Sequence, residues 1–150
     1  MPTIHLPAGG GGGGGGPATQ VIASFVAGEA LAAGKCVSVF WDAASSSTRV
    51  RAVRAALDDH IVGISTSTAS AGANVSVGLV GSFAVAFSAA PAAASNGQWV
   101  FADPNSNGGA VVSRPTSGVN LMRVGFLAGA DGVTVTPTVI FSWAFIAALP

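Results

Sequence analysis

A duplication runs through this chain. Ala30-Leu31-Ala32-Ala33-Gly34-Lys35-Cys36-Val37 and Ala92-Ala93-Ala94-Ser95-Asn96-Gly97-Gln98-Trp99-Val100 share one plan: an alanine-rich entry, a glycine, a polar residue and the start of a strand. Asp42 follows the first stretch and Asp103 the second, each leading into a polar turn. His60-Ile61-Val62-Gly63-Ile64 then matches Leu121-Met122-Arg123-Val124-Gly125-Phe126, and Ala71-Gly72-Ala73-Asn74-Val75-Ser76-Val77 matches Gly129-Ala130-Asp131-Gly132-Val133-Thr134-Val135. The three matches are collinear and lie about sixty residues apart, the mark of an internal repeat. Each unit reads as an entry turn, a strand, a polar turn, a middle strand ending in Val-Gly-Ile or Val-Gly-Phe, a small-residue turn and a Val-x-Val strand. Neither unit is large enough to bury its own apolar face, so the two are expected to pack and close one core. Gly63 and Gly125 occupy matched positions, where a strand must bend or admit another backbone closely.

Within the units the apolar residues alternate. Val37, Val39 and Trp41 are separated by Ser38 and Phe40; Val75, Val77 and Leu79 by Ser76 and Gly78; Phe83, Val85 and Phe87 by Ala84 and Ala86. Period two is the signature of a strand, and Gly, Asn and Ser turns punctuate these runs at about ten-residue intervals. The fold class expected is all-β: a small barrel or sandwich of short antiparallel strands. Helix is hard to place. Ala52 to Leu57 could make one turn, and the alanine-rich stretch from Ala89 is broken by Pro91 and by the turn signal Ser95-Asn96-Gly97. Trp41 and Trp99, set in alternating runs, are expected to fill the core; for Trp143 and Phe145, core and interface are equally open.

Residues 1–20 stand apart as an extended glycine-rich arm, and residues 21–150 form the β-rich domain, with units of about 26–88 and 89–141. The arm carries an unbroken run from Gly9 through Gly12 to Gly16, bracketed by Pro7 and Pro17. Glycine loses the most backbone entropy on folding, so such a run does not fold into helix or strand unaided. It is either a flexible tether or an arm that orders on a partner, with Ile4 and Leu6 as terminal anchors.

The chain holds 150 residues, enough to bury roughly 70% of its unfolded surface. Half of them are apolar and 8% are charged, against about 25% in typical soluble domains. A surface so poor in charge suits a subunit covered by partners. Six basic and six acidic side chains cancel, and Arg49, Arg51 and Arg54 are the only basic cluster, which argues against nucleic acid as a partner. No apolar run is long enough to span a bilayer as a helix, so no membrane partner is expected. Cys36 is a lone cysteine followed by Val37 and Val39 in the alternating run, and it reads as a buried small hydrophobe.

Candidates for chemistry are few. His60 lies next to Asp59, but consecutive residues of an extended chain point to opposite faces and do not converge on one ligand. Asp103-Pro104-Asn105-Ser106-Asn107-Gly108 resembles a calcium loop only superficially: the terminal bidentate Glu is missing, and Asp-Pro-Asn with Asn-Gly is strong turn chemistry. No glycine-rich phosphate loop precedes a Lys-Ser/Thr pair, and no Ser, Cys or His stands in a nucleophile arrangement. No catalytic residue, metal ligand or cofactor is expected.

Three motifs in order, Val26-Ala27-Gly28-Glu29-Ala30-Leu31-Ala32-Ala33-Gly34-Lys35-Cys36-Val37, Ile61-Val62-Gly63-Ile64-Ser65-Thr66-Ser67-Thr68-Ala69-Ser70-Ala71-Gly72 and Val75-Ser76-Val77-Gly78-Leu79-Val80-Gly81, resemble the capsid cement (head decoration) proteins of tailed bacteriophages. The resemblance covers about residues 26–140, more weakly in the second unit. It implies a non-enzymatic, cofactor-free virion protein on the outer surface of the capsid head, with the major capsid protein and neighbouring copies of itself as partners, often as a homotrimer. Interface residues are then expected where the chain departs from the repeat: Ile4, Leu6, Gly9, Gly12 and Gly16 in the arm, Trp143 and Phe145 in the tail. Another virion β-module (spike, fibre base or tail-associated) and a carbohydrate-binding adhesin module are the alternatives.

Overall fold

The computed structural model describes residues 4–5, 19–54, 58, 60–116 and 121–141. Its strands are β1 (Ile4–His5), β2 (Val21–Val26), β3 (Cys36–Asp42), β4 (Ser47–Ala52), β5 (Gly63–Ser65), β6 (Asn74–Ala84), β7 (Trp99–Ala102), β8 (Ala110–Val111), β9 (Arg123–Leu127) and β10 (Thr138–Phe141). One 3-10 turn, Ala93–Ser95, is the only helical element among the described residues. The fold is all-β, and the ladders between named strands are antiparallel.

The strand order is β4-β3-β5-β6-β10-β9-β7-β8, with β2 added beside β6 and β1 beside β2. Read from its two ends, this order is the same path twice: β4-β3-β5-β6 from one edge and β8-β7-β9-β10 from the other. The registers repeat as well. Cys36 faces Ile64 and Val37 faces Gly63; Trp99 faces Phe126 and Val100 faces Gly125. Ile64 faces Gly78 and Ser65 faces Val77; Phe126 faces Ile140 and Leu127 faces Val139. Ala23 opposite Val77 in the β2–β6 ladder is matched by Phe83 opposite Val139 in the β6–β10 ladder. β2 of the first unit therefore corresponds to the last residues of β6. β6 is long because its first half completes one unit and its second half opens the next.

Each half is curled, giving a half-barrel sheet. A parallel bridge joins Ala27 to Val50 in the first unit, and its counterpart joins Phe87 to Ala110 in the second. Two apolar clusters fill the curls. The first holds Leu31, Val37, Val50, Val75 and Val77. The second is larger, built on Phe83, Phe87, Val100, Val124, Leu127 and Val139, and it also takes Cys36, Val53 and Ile64 from the first unit. The period of two explains that division: Val37 faces its own unit's core, whereas its neighbour Cys36 faces the other unit.

Four expectations are corrected. The units divide within β6, ahead of the 88/89 boundary read from the sequence, because Phe83 opposite Val139 repeats Ala23 opposite Val77. Val133-Thr134-Val135 is not the last strand of the second unit, and Val133 is 82% exposed. The Asp131 carboxylate accepts the N–H groups of Val133 (2.8 Å) and Thr134 (2.6 Å) and the Thr134 hydroxyl (2.6 Å). That turn takes up the donors a ladder would need, and the strand begins later, at Thr138. Trp41 shares a strand face with Val37 and Val39, yet it is 65% exposed, because the β3–β4 hairpin outruns the core beyond the Val39–Val50 pair. Trp99 is 37% exposed, on the outer face at the head of β7. Neither tryptophan is a core residue.

Candidate interaction surfaces

The polar residues of the first unit are used to hold backbone. Glu29 accepts the Ala52 N–H through Oε1 (2.9 Å) and the Arg54 guanidinium through Oε2 (2.7 Å), tying the loop after β2 to the end of β4. Asp58 is buried and takes the Arg51 guanidinium on Oδ1 (2.8 Å) and the Arg54 N–H on Oδ2 (2.7 Å). Burial pushes the Asp58 carboxyl upward, but the Arg51 guanidinium and the Arg54 N–H outweigh it and hold the group below the ordinary carboxylate range. With Arg49 paired to Asp42 (3.2 Å), the basic cluster is internally neutralised. His60 is exposed in the extended stretch that precedes β5.

Asp103 and Asp42 do the same local job in the two units. Asp42 Oδ1 accepts the Ala44 N–H (3.1 Å), and Asp103 Oδ1 accepts the Asn105 N–H (2.8 Å), each starting the hairpin turn between paired strands. The other oxygen of Asp103 accepts the Ser88 hydroxyl. Among the described residues, no group of three His, Cys, Asp or Glu side chains is placed to hold a metal ion. Cys36 is fully buried, and burial, only partly offset by the charge of Lys35, pushes its thiol up to about 12. A groove between the units is lined by Gln20, Ile22, Gly34, Ser65, Thr66 and Phe83, and its lining carries no titratable side chain.

What the surface does present is apolar and aromatic. The Trp99 and Phe126 rings lie 3.8 Å apart between centroids, tilted by 30°, and the Arg123 guanidinium sits 3.7 Å over the Trp99 ring. The cation–π contact and the stacking hold Trp99 in one orientation on the open face of β7 and β9. Phe126 is 40% exposed, and Leu121 and Ile140 are exposed nearby in chain and ladder. Trp41 forms a separate apolar point on the β3–β4 hairpin, opposite Thr48.

Of the interface residues expected from sequence, Ile4 is in β1, its backbone paired with Ala23. Leu6, Gly9, Gly12, Gly16, Trp143 and Phe145 lie outside the described residues. The patch of Trp99, Arg123 and Phe126 was not anticipated. One signal for it was in the repeat: the alignment sets Trp99 against Cys36 and Phe126 against Ile64, large aromatics where the first unit has smaller residues. Among the described residues, no helix is long and apolar enough to cross a membrane. Comparison with protein-family models, with curated proteins and with solved structures found no match to this chain.

Proposed function

We propose that this chain is a structural virion protein that binds the outer surface of a phage head and reinforces it at the junctions between capsomers. One observation supports the reading: the ordered motifs that resemble those of capsid cement proteins coincide with repeated elements, namely the entry turn at Gly34, the start of β5 at Gly63-Ile64 and the Val75–Val77 stretch of β6. The surface is consistent with a subunit of a larger assembly. Its charges are few, its basic cluster is internally paired, and among the described residues its largest exposed apolar side chains are aromatic, the residue class enriched at interface centres. Area added across a capsomer junction resists outward pressure, and an arm that reaches a neighbour raises the effective concentration of the remaining contacts. The major capsid protein and further copies of this chain are the partners of this reading.

The test is attachment to purified shells. Full-length chain is expected to bind at hundreds of copies per particle, with added density at symmetry-related capsomer junctions. A handful of copies at one vertex would instead mark a spike or fibre-base module. A chain lacking residues 1–17 is expected to bind more weakly; equal binding would remove the arm from the attachment.

A further inference from the structure

The two units meet head to tail, and the face used in that contact occurs twice in the chain. On the first unit it is covered. Cys36 and Ile64 are fully buried in the second unit's cluster, and the Phe83 ring lies over Gly78. The Gly34 carbonyl accepts the Ala86 N–H (2.8 Å), the Cys36 N–H donates to the Gly108 carbonyl (2.9 Å), and the Gly108 N–H donates to the Val53 carbonyl (2.8 Å). On the second unit, the registers put Trp99, Phe126 and Ile140 at the positions of Cys36, Ile64 and Gly78. There the face is open: Trp99, Phe126 and Ile140 are 37%, 40% and 45% exposed. Gly97 stands where Gly34 does, with the same left-handed φ (84° and 83°) and the same N–H bond to the next-but-one strand, to Leu127 O and Ser65 O respectively (both 2.7 Å). A Cβ on Gly34 would touch Ala84 and Ala86, whereas one on Gly97 would meet nothing within 4 Å.

The covering side is duplicated too. What covers the first unit is the opening strand of the second, around Phe83 to Ala86, and its hairpin turn at Gly108. Their counterparts on the first unit are β2 and the β3–β4 hairpin, which carries the exposed Trp41. We propose that the Trp99–Phe126–Ile140 face of one copy seats β2 and the β3–β4 hairpin of a second copy, repeating between chains the contact that joins the units within each chain. Such a contact is heterologous, so successive copies follow one another in a single direction and close into a ring when the rotation permits. The large apolar side chains of the second unit fill the space that the covalent connection leaves no need to fill in the first. Past β10, the sequence Ser142-Trp143-Ala144-Phe145 repeats the order of Ser82-Phe83-Ala84-Val85, the stretch by which the chain passes from one unit to the next.

This contact concerns self-association only, so it is tested on the full chain without shells, and its failure would leave the capsid reading untouched. Within the chain, Gly108 packs directly on Lys35: a Cβ on Gly108 would lie 3.0 Å from the Lys35 Cβ, inside the roughly 3.5–4.5 Å that a disulfide spans, so a slight easing of the contact lets the bond form. The counterparts of those positions are Thr48 and Gln98. Mixing purified Thr48→Cys chain with purified Gln98→Cys chain under mild oxidation is expected to give a cross-linked dimer of one chain of each kind. Each single variant alone is expected to give none, and buried Cys36 takes no part. The double variant is expected to link into larger oligomers. The variant Trp99→Glu with Phe126→Glu is expected to weaken self-association, read by sedimentation, by at least about tenfold with an unchanged circular dichroism spectrum. Dimers of Gln98→Cys with itself would show a symmetric face-to-face contact and overturn the proposal. So would wild-type chain that sediments as a monomer at every concentration with no mixed cross-link.

Discussion

Gly63 and Gly125 hold the same place in two ladders: Gly63 is paired with Val37 and Gly125 with Val100, and a Cβ on either would drive into a backbone carbonyl oxygen, that of Gly78 in one unit and that of Ile140 in the other. The strand that each glycine begins or crosses is thus pressed against the unit's last strand more closely than any side chain allows.

Gly63→Ala and Gly125→Ala are each expected to destabilise the fold by about 1–3 kcal/mol or more, because backbone rather than a flexible side chain must give way. Urea unfolding of each variant measures it. Gly72→Ala, at a turn with nothing near the added methyl, is expected to be costly only through its φ of 81°. Its loss should be the smallest of the three.

Asp58→Ala is expected to cost about 2–4 kcal/mol, since it strands the Arg51 guanidinium and the Arg54 N–H. The folded-state carboxyl lies below its unfolded value, so its stabilisation is present above the unfolded pKa and is lost as pH falls through the folded one. Wild-type stability is therefore expected to fall more steeply than that of Asp58→Asn between neutral and strongly acidic pH. Thermal melts at a series of pH values read the difference.

Cys36 is expected to resist thiol reagents in the folded protein at mildly alkaline pH and to react fully in denaturant. Reactivity needs the thiolate, and burial holds the thiol at about 12. Release of a chromophoric disulfide reagent, with and without urea, is the measurement. Rapid labelling of native protein would contradict the packing between the units.

Asp131 is expected to titrate at about 2, held down first by the Thr134 hydroxyl and then by the N–H groups of Thr134 and Val133. The sign follows: the turn is supported by the ionised carboxylate above the ordinary Asp range and is released as pH falls toward that value. Carboxyl carbon shifts followed by NMR, with Thr134→Val shifting the titration upward, provide the check.

Much of the fold was legible in the chain. The alternation marked the strands, the match of Gly34-Lys35-Cys36-Val37 with Gly97-Gln98-Trp99-Val100 is the one the ladders reproduce, and the glycine pair occupies equivalent positions. The third match was displaced. Val133-Thr134-Val135 has the composition of Val75-Ser76-Val77, but the side chain of Asp131 captures its donors, and the true counterpart of Val77 is Val139. Trp41 and Trp99 show a different limit. Period two assigns a residue to one of two faces, but not whether that face is covered at that point along the strand.

The sequence by itself determined that this is an all-β chain made twice over, with turns set by Asp, Asn and Gly, because alternation and turn chemistry act over a few residues. Only the tertiary structure decided which copy of a repeated face is buried. Cys36 and Trp99 hold equivalent positions in their units, yet one lies under the neighbouring unit and the other is open. That difference comes from the order of the units along the chain: the first unit has the second to cover it, and among the described residues no later element covers the second.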